Sequence, residues 1–415
     1  MEKLLVEGKN RLNGEVQIAG MKNSALPIIY STLLIDGESI IHNIPRVSDV
    51  ENSLEILRKM GATAEFCDKN TIRINTKNAF PSNETYALIS KMRASYYLLG
   101  ASLSRFKEIT IPMPGGCNFG ARPIEQHLKG FQGLGASCIE NNENITVKAL
   151  NGLKSNKITL DKISVGATIN MVLASVLIPG VTTIENVAIE PHIDDLICFL
   201  NKCGAKIIRY GRRIYVVGVS CLKAIEHRIF SDMIEALTYM CFLGACGGEI
   251  LLKDVFIKHL TYELDMFQEM GYFISTTDNT VLARVDKKLK GVDVETNPYP
   301  LFPTDLQPQF SALLCFTSSG GEVIENIYKT RFAYVNELIK MGAKIELKNG
   351  VIRVFPSELK GSVVEATDLR AGAALITAAL GSYGATEISN VKYIVRGYER
   401  ITEKIASIGG KIKII

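Results

Sequence analysis

One pattern recurs six times along this chain of 415 residues. An amphipathic helical stretch ends at a glycine and an alternating or β-rich stretch follows, as in ILRKMGATAEF and LIKMGAKIEL. A glycine in that position is typical of a helix C-terminus that leads into a strand. The six glycines are Gly61, Gly135, Gly204, Gly271, Gly342 and Gly409. They lie 67 to 74 residues apart, which is too long for a solenoid repeat, so each copy predicts a small subdomain.

A second helical stretch precedes each of these elements, and it is apolar on nearly every face, as in SVGATINMVLASVLIPG and DLRAGAALITAALGSYG. Helices of that kind are buried inside a domain. Short β-rich runs such as EILLKDV follow them. Six such units predict an α/β protein of two domains, each with three units, in which the buried helices lie inside and the sheets outside.

Composition narrows the class of protein. The 47% hydrophobic and 22% charged residues are ordinary for a globular chain, and the nine scattered cysteines include no CxxC pair, which indicates a reducing cytoplasm. The first residues lack the apolar core of a signal peptide, and no apolar run is long enough for a bilayer, so we expect no membrane partner. A net charge of +4 without a basic tract gives little support to nucleic-acid binding. The histidines and cysteines show no metal-ligand spacing, so we expect neither metal nor cofactor.

Polar and charged residues open the apolar helices. They are Lys22, Asn23, Arg93, Ser164, Gly166, Asp232, Thr304, Asp305, Asp368 and Arg370. A helix N-terminus offers free backbone N–H groups and a positive dipole end. If the internal symmetry directs these ends to one cleft, they would surround an anionic substrate. Each acidic residue taken alone can equally be an ordinary N-cap.

The segment PMPGGCNFGARP, from Pro112 to Pro123, carries a second candidate group. Its glycines allow close approach to a ligand and allow the loop to move. Cys117 lies at its centre, where Arg122 would lower the thiol pKa and favour a nucleophile or proton donor. The other eight cysteines fit the usual role of small buried hydrophobes. His127 follows the loop and could be structural or catalytic.

Several motifs, read together, resemble the UDP-N-acetylglucosamine 1-carboxyvinyltransferase family. They are GMKNSALP, KMRAS, PGGCNFGARPIEQH, SVGAT, FPTDLQPQF, ENIYKTRF, ATDLRAGAAL and VRGYERI, and the resemblance runs from LLVEGKNRLNGEV to the C-terminus. The resemblance implies the enolpyruvyl transferase fold, a two-domain inside-out α/β barrel. Residues 21–230 would form one domain with a mobile Cys117 loop, and residues 1–20 with 231–415 the other. The active site would lie in the cleft between them, with the loop closing as a lid.

The implied reaction moves the enolpyruvyl group of phosphoenolpyruvate to the 3-hydroxyl of UDP-N-acetylglucosamine and releases phosphate, the first committed step of peptidoglycan synthesis. Lys22, Arg122 and Arg396 would hold the phosphate, because ionic hydrogen bonds are the strong ones. Asp305 would accept the hydroxyl proton. Cys117 would protonate C3 or trap phosphoenolpyruvate, and it would be the thiol that the epoxide phosphonate fosfomycin alkylates.

The remaining contacts implied by the resemblance concern the carboxylate, the sugar, the diphosphate and the uracil. Arg331 and Arg370 would lie near the carboxylate, and Asn23 would meet the sugar. Arg122 with Pro123 would pack the uracil, whose edge Glu125 would read. The groups that would contact the diphosphate are Arg93, Lys162, Ser164, Val165 and Gly166. Further substrate-binding positions are Ile124, Gln126, Ile327 and Asp368.

Several positions depart from the family's usual motifs. Met233 stands where an arginine is usual, and Lys329 with Thr330 replaces Glu-Asn before Arg331. Tyr393 and Val395 replace His and Asp before Arg396, and Glu125 replaces Asp. We hypothesise that Lys329 partly supplies the charge missing at Met233.

Three other functions remain open. A shikimate-pathway enolpyruvyl transferase shares the chemistry, but that family lacks the glycine-flanked cysteine seen here at Cys117. A paralogue acting on a different nucleotide acceptor would account for the departures at Met233, Lys329 and Val395. A catalytically silent nucleotide-sugar-binding regulator would be expected to have lost a group such as Cys117 or Asp305, and the chain keeps both.

Overall fold

The computed structural model describes residues 2–113 and 124–415, which fold as an α/β protein. The helices of these ranges are α1 Lys22–Ser31, α2 Ser48–Lys59, α3 Tyr86–Ile89, α4 Tyr97–Phe106, α5 Glu125–Gly133, α6 Val165–Ser175, α7 Pro191–Lys202, α8 Met233–Cys246, α9 Thr261–Met270, α10 Gln307–Leu314, α11 Ala333–Lys340, α12 Leu369–Gly381, α13 Val391–Ile394 and α14 Ile401–Ser407. Short 3-10 turns lie at Thr32–Leu34, Asn83–Thr85, Arg93–Tyr96 and Ile257–His259.

The strands are short, from two to six residues. They are β1 Leu4–Glu7, β2 Leu12–Gln17, β3 Ile35–Asp36, β4 Glu38–His42, β5 Thr63–Phe66, β6 Ile72–Asn75, β7 Glu108–Pro112, β8 Ser137–Glu140, β9 Asn144–Lys148, β10 Lys157–Thr159, β11 Val181–Glu185, β12 Lys206–Tyr210, β13 Arg213–Val217, β14 Leu222–Lys223, β15 Glu226–Arg228, β16 Gly248–Lys253, β17 Phe273–Thr276, β18 Thr280–Val285, β19 Val294–Glu295, β20 Gly321–Ile324, β21 Lys344–Lys348, β22 Val351–Phe355, β23 Val363–Glu365, β24 Ala385–Ser389 and β25 Lys411–Ile414.

The described residues form two compact units. The first unit comprises residues 20–113 and 124–230, and the second comprises residues 2–19 and 231–415. The chain therefore changes unit between Ala19 and Gly20, one residue before the position expected from the sequence, and again between Phe230 and Ser231.

One order of strands and helices is repeated in the sheets of both units. In the clearest copy, β10 leads into α6, β11 returns parallel to β10, and α7 leads into the β12–β13 hairpin. The sheet order is β10–β11–β13–β12. The second unit repeats it as β17–β18–β16–β2, β19–β20–β22–β21 and β23–β24–β1–β25, and the first unit as β15–β4–β6–β5 and, with three strands, β7–β9–β8. The repeat predicted from the sequence is thus one βαβαββ subdomain.

Two strands belong to one unit although the helix that follows each of them belongs to the other unit. β2 precedes α1 of the first unit, yet it pairs parallel with β16 of the second, with Leu12 opposite Gly248. β15 precedes α8 of the second unit, yet it pairs parallel with β4 of the first, with Glu226 opposite Ile40. The N-terminal β1 completes the last sheet between β24 and β25.

The six glycines of the repeat all adopt the left-handed backbone conformation predicted for them. Their φ angles lie between +89° and +107°. Gly271 is itself the C-terminal cap of α9, and the others stand just beyond the ends of α2, α5, α7, α11 and α14. A side chain with a Cβ would strain this conformation, so glycine is the residue that lets each amphipathic helix turn into its hairpin.

The apolar helices lie at the centre of each unit. All residues of α12 from Leu369 to Gly381 are buried, as are Gln307–Leu314 of α10. The amphipathic α2 buries one face only, with Val50 and Leu54 among its buried residues. Each fully buried aliphatic side chain stabilises the fold by about 1.5–3 kcal/mol. Burial of the central helices fixes the positions of their N-termini, where the candidate residues cluster.

Candidate active site

Asp305 lies between two buried arginines in the second unit. Its Oδ1 accepts a hydrogen bond from Nη1 of Arg331 at 2.8 Å, and its Oδ2 accepts one from Nη2 of Arg370 at 3.1 Å. Both arginine residues are 4% exposed, whereas the Asp305 side chain is 32% exposed. The carboxylate is therefore fixed by two charge-assisted hydrogen bonds and remains accessible to a ligand.

The N-cap interpretation holds for two of the three acidic residues and is wrong for the third. Asp232 accepts two backbone N–H groups at the start of α8, and Asp368 does the same at the start of α12. Asp305 stands two residues before α10, whose capping position is Leu306, and it caps nothing. Its carboxylate turns to the arginines instead, because two buried cations attract it more strongly than backbone dipoles do.

A buried tyrosine links the three central helices of the second unit. The hydroxyl of Tyr398 accepts a hydrogen bond from Nη1 of Arg370 at 2.8 Å and one from Nε2 of Gln309 at 3.0 Å. It also lies 3.0 Å from Oγ1 of Thr238. These partners belong to α12, α10 and α8. Tyr398 was not among the residues predicted from the sequence, although it stands inside the VRGYERI motif.

Glu325 organises the loop that follows β20. Its Oε1 accepts the backbone N–H groups of Ile327 and Tyr328 at 2.8 and 2.7 Å, and its Oε2 accepts the hydroxyl of Thr304 at 3.0 Å. Ile327, predicted to bind substrate, is 38% exposed on this loop. The loop is therefore tied to the residue that directly precedes Asp305.

The electrostatic environment keeps Asp305 ionised. Burial by itself would raise the pKa of this carboxyl, but the positive charges of Arg370 and Arg331 outweigh it and hold the pKa well below its usual range. A carboxylate in that state is a weak base.

Lys22 is held by an acid that the sequence analysis did not single out. Its Nζ lies 3.0 Å from Oδ2 of Asp49, and the two side chains are 13% and 5% exposed. Lys22 begins α1, and Asp49 lies in the first turn of α2. The pair fixes the ammonium group in the first unit and neutralises it while no other anion is bound. Asn23, the next residue of α1, is half-buried.

Hydrogen bonds join the first turn of α5 to the segment before α6. Nε2 of Gln126 donates to Oδ2 of Asp161 at 3.2 Å, and Oε1 of Gln126 accepts the N–H group of Asp161 at 2.8 Å. Lys129 forms an ion pair with the same aspartate. The structure thus brings two groups of predicted substrate-binding residues together: Ile124, Glu125 and Gln126 with Lys162, Ser164, Val165 and Gly166.

The N-terminus of α6 is formed as expected. The Ser164 hydroxyl caps the helix by accepting the N–H group of Ala167 at 3.3 Å, and Val165 and Gly166 form the first turn. Lys162, just before this turn, is exposed. Backbone N–H groups at such a position can bind an anion such as a diphosphate.

The sequence places Arg93 at the start of a buried helix, and the structure differs in detail. Arg93 opens the 3-10 turn Arg93–Tyr96, and α4 begins at Tyr97. The Arg93 guanidinium carbon lies 4.9 Å from the centre of the Tyr96 ring. Arg396, which follows α13, is half-buried in the second unit, and Val395 beside it is 41% exposed.

Three predicted residues, Cys117, Arg122 and Pro123, lie outside the described residues. Among the other cysteines, burial raises the pKa of Cys138 to about 11 and that of Cys203 to about 12. Cys67 and Cys221 are exposed. Buried thiols of high pKa react slowly, so these two exposed cysteines are the ones with which any reactivity of Cys117 has to be compared.

The sequence matches the family model of EPSP synthase (3-phosphoshikimate 1-carboxyvinyltransferase) over residues 6–405. Two curated relatives are named UDP-N-acetylglucosamine 1-carboxyvinyltransferase. The one from Halothermothrix orenii is 44% identical over 414 residues, covering 100% of this chain and 99% of the relative. The one numbered 3 from Caldanaerobacter subterraneus subsp. tengcongensis is 42% identical and covers 99% of each chain.

This chain belongs to the enolpyruvyl transferase family. Solved structures share the transferase fold at lower identity. The enolpyruvyl transferase NikO from Streptomyces tendae superposes with a TM-score of 0.90 at 24% identity, covering 100% of this chain and 99% of NikO. EPSP synthase from Acinetobacter baumannii superposes with a TM-score of 0.76 at 17% identity, covering 100% of both chains. The fold class predicted from the repeat and the motifs is confirmed.

Two features are absent from the described part of this transferase. Within residues 2–113 and 124–415, no helix has the length and apolar character needed to cross a membrane. In the same part of the chain, no group of three or more histidine, cysteine, aspartate or glutamate side chains is arranged to hold a metal ion.

Proposed function

We propose that this enolpyruvyl transferase moves the enolpyruvyl group of phosphoenolpyruvate to the 3-hydroxyl of UDP-N-acetylglucosamine, with release of phosphate, and so begins peptidoglycan synthesis. The full-length relatives that carry this activity in their names support the choice of acceptor. The observation that carries the chemistry is the partly exposed carboxylate of Asp305 between two buried arginines.

Phosphoenolpyruvate would activate Asp305 by competing for its partners. The substrate carboxylate would accept hydrogen bonds from Arg331 and Arg370 in place of Asp305. Since those two charges hold the pKa of Asp305 low, their engagement by another anion raises that pKa. Asp305 then becomes able to accept the proton of the sugar hydroxyl as the oxygen attacks C2.

The addition step requires an acid as well as a base. As the C2–O bond forms, C3 takes a proton, for which Cys117 is the proposed donor, and a phospho-ketal results. In the second step C3 loses a proton, the bond from C2 to the phosphate oxygen breaks, and the enol ether forms. Both steps move only protons and a phosphate leaving group, so this scheme assigns no role to a metal or an organic cofactor.

Phosphate binding would use the cations that the family motifs supply. Lys22 would exchange its contact with Asp49 for the phosphate of phosphoenolpyruvate, and Arg122 and Arg396 would complete the charge. The 3.0 Å pair holds the ammonium group in place before the substrate arrives. Preorganised charges of this kind stabilise the phosphate as it departs.

The acceptor's diphosphate would bind at the N-terminus of α6, where Ser164, Val165 and Gly166 form the first turn and Arg93 and Lys162 add charge. Glu125 and Ile124 open α5 beside this segment, joined to it through Gln126. The proximity of these segments supports the assignment of uracil recognition to Glu125.

Phosphate release measured with both substrates tests the function. Purified protein with phosphoenolpyruvate and UDP-N-acetylglucosamine is expected to release phosphate and form the enolpyruvyl nucleotide, detected by mass spectrometry. Omission of either substrate, or Cys117→Ser, should abolish release. If phosphoenolpyruvate binds but no acceptor-dependent release follows, the proposal is wrong for this acceptor.

A different nucleotide acceptor is the second candidate. Met233, an apolar and 8% exposed residue, begins α8 where the family usually has arginine. The same assay with other uridine and purine nucleotides separates the two candidates. Release with one of these and none with UDP-N-acetylglucosamine would establish the paralogue.

A further inference from the structure

His127 lies in the first turn of α5, in the interior of the first unit, and is 4% exposed. The proposed function gives it no role. Its ring packs against the backbone of Gly166 so closely that a Cβ built there would lie 2.9 Å from Cε1 and 3.0 Å from Nε2. Glycine at position 166 therefore allows the imidazole to reach the first turn of α6.

Asn170 determines which nitrogen of His127 carries the proton. Oδ1 of Asn170 accepts the backbone N–H of Gly100 at 2.8 Å, and Nδ2 donates to the carbonyl of Tyr96 at 3.0 Å. These two backbone groups fix the orientation of the amide, since one can only donate and the other only accept. Nδ2 of Asn170 also lies 2.8 Å from Nδ1 of His127 and must donate to it.

Nδ1 of His127 is therefore an acceptor, and the proton of the neutral ring resides on Nε2. Burial, with the charge of Arg93 as a smaller cause, lowers the pKa of His127 to about 3. A second proton would also place an N–H against the amide donor of Asn170. The ring is thus a neutral donor whose Nε2–H has no hydrogen-bond partner among the described residues and lies against Gly166.

We infer that His127 is a further substrate-binding residue, whose Nε2–H donates to a phosphate oxygen of a nucleoside diphosphate bound at the N-terminus of α6. This rests on the proposed function and deepens it. The free N–H groups of the first turn supply the general attraction for an anion. The buried imidazole adds a single directed donor, and Arg93 lies near enough for its charge to act on the ring.

Binding measurements on the full-length protein test the inference without requiring turnover. Titration calorimetry compares UDP with uridine in the wild type, in His127→Phe, which keeps a planar ring, and in His127→Gln, which keeps a donor near the Nε2 position. A hydrogen bond to a charged group corresponds to about a 10- to 100-fold loss of UDP affinity in His127→Phe. His127→Gln should retain part of that affinity, and uridine should bind all three proteins alike.

The matched control is His42→Gln. His42 lies on β4 of the same unit, paired with Thr71 and Glu226 away from α6, and its change should leave UDP binding as it is. In steady-state assays, His127→Phe should raise KM for UDP-N-acetylglucosamine by the same factor, with KM for phosphoenolpyruvate unchanged. A merely structural role would disturb both constants.

A measurement on the unaltered protein covers the case in which a variant does not fold. In 15N-histidine NMR, His127 should show the Nε2-protonated neutral form at pH 7, and the Nε2 resonance should move on addition of UDP but not of uridine. Protonation at Nδ1, or no movement with UDP bound, overturns the inference.

The outcomes separate the two proposals. Wild-type protein that binds neither UDP nor UDP-N-acetylglucosamine overturns the proposed function and this inference with it. Wild-type protein that binds both, with His127→Phe binding UDP equally tightly, overturns the inference alone.

Discussion

The two units present their helix N-termini with different chemistry. In the second unit, Asp305 pairs with both Arg331 and Arg370 through hydrogen bonds of 2.8 and 3.1 Å. In the first unit, the start of α6 offers backbone N–H groups, the Ser164 cap and the uncharged ring of His127. One region is a network of ion pairs, and the other presents neutral donors with the charges of Arg93 and Lys162 nearby.

The difference concerns what a ligand must displace. In the proposed function, the substrate carboxylate replaces Asp305 at Arg331 and Arg370, so its binding and the activation of the base would be coupled. A diphosphate at α6 meets donors that need no counter-ion removed, and Nε2 of His127 stays protonated over the physiological pH range. Binding at the charged network should therefore respond to pH and charge changes, and binding at α6 to hydrogen-bond geometry.

The largest effect should come from Asp305→Asn, which removes the base and leaves the shape. We expect kcat for phosphate release to fall by about 10²- to 10⁴-fold, since general bases contribute that much. UDP affinity, measured by calorimetry, should stay within about twofold, because α6 is untouched. Asp278→Asn, on an exposed turn of the same unit, is the control. A kcat within tenfold of wild type would exclude Asp305 as the base.

The ion pairs of Asp305 should also make the difference in stability between the wild type and Asp305→Asn depend on pH. At pH 7 the loss of the carboxylate removes the negative charge that Arg331 and Arg370 share, which should cost about 2 kcal/mol after allowance for the partial exposure of Asp305. The pKa of Asp305 is lowered in the folded state, so this stabilisation is present above the unfolded pKa of about 3.9 and is lost as the pH falls towards the folded pKa.

Denaturant unfolding of wild type and Asp305→Asn at pH 7, 5 and 3.5 measures that difference. The gap in the free energy of unfolding should be similar at pH 7 and 5 and smaller at pH 3.5. A gap that stays constant down to pH 3.5 would mean that the carboxylate does not stabilise the fold through its charge.

Sequence periodicity predicted most of the fold because the repeat is local. The glycines such as Gly61 and Gly342 mark helix ends by backbone conformation alone, and the apolar helices mark the core. The exchange of β2 and β15 between units came from the resemblance, since short strands carry no signal for their partners. Contacts distant in sequence follow from packing, which periodicity does not encode.

The sequence indicated which residues form the candidate site, but it did not indicate their hydrogen-bond and ion-pair partners. Lys22 and Arg370 stood at helix starts, but their partners Asp49 and Tyr398 lie 27 and 28 residues away on other elements. His127 had two interpretations in the sequence. Asn170, 43 residues further on, fixes the tautomer of His127, and the sequence gives no sign of that contact.

Substitution of Gly166 tests the contribution of the His127 ring to ligand binding at α6. Gly166→Ala places a methyl group 2.9 Å from Cε1 of His127, closer than Cβ atoms approach other groups, so the ring must move. We expect UDP affinity to fall about tenfold, equivalent to one hydrogen bond. Alanine is more favourable than glycine within a helix. This gain should offset part of the stability lost when the ring moves, so we expect only a small fall in the melting temperature.

A double variant tests whether Gly166→Ala acts through the histidine. If the ring is the intermediary, Gly166→Ala should weaken UDP binding in the wild type and should have little further effect in His127→Phe. Equal losses in both backgrounds would mean that the methyl group obstructs the ligand directly, and His127 would lose this support.

The smallest effect should come from Lys329, which tests whether the charged network extends to the surface. Lys329 is exposed and lies two residues before Arg331, and Met233 supplies no charge at the start of α8. An exposed charge is worth at most about 1 kcal/mol, so Lys329→Ala should raise KM for phosphoenolpyruvate about threefold. The effect should diminish at high salt, because exposed charges are screened.

Two further variants decide the interpretation of the Lys329 result. Lys287→Ala, at another exposed lysine of the second unit, should leave KM unchanged. Met233→Arg should recover the activity lost in Lys329→Ala if the two positions supply the same charge. If Lys329→Ala costs nothing and Met233→Arg restores nothing, the substitutions are independent, and the charged network ends at the buried arginines beside Asp305.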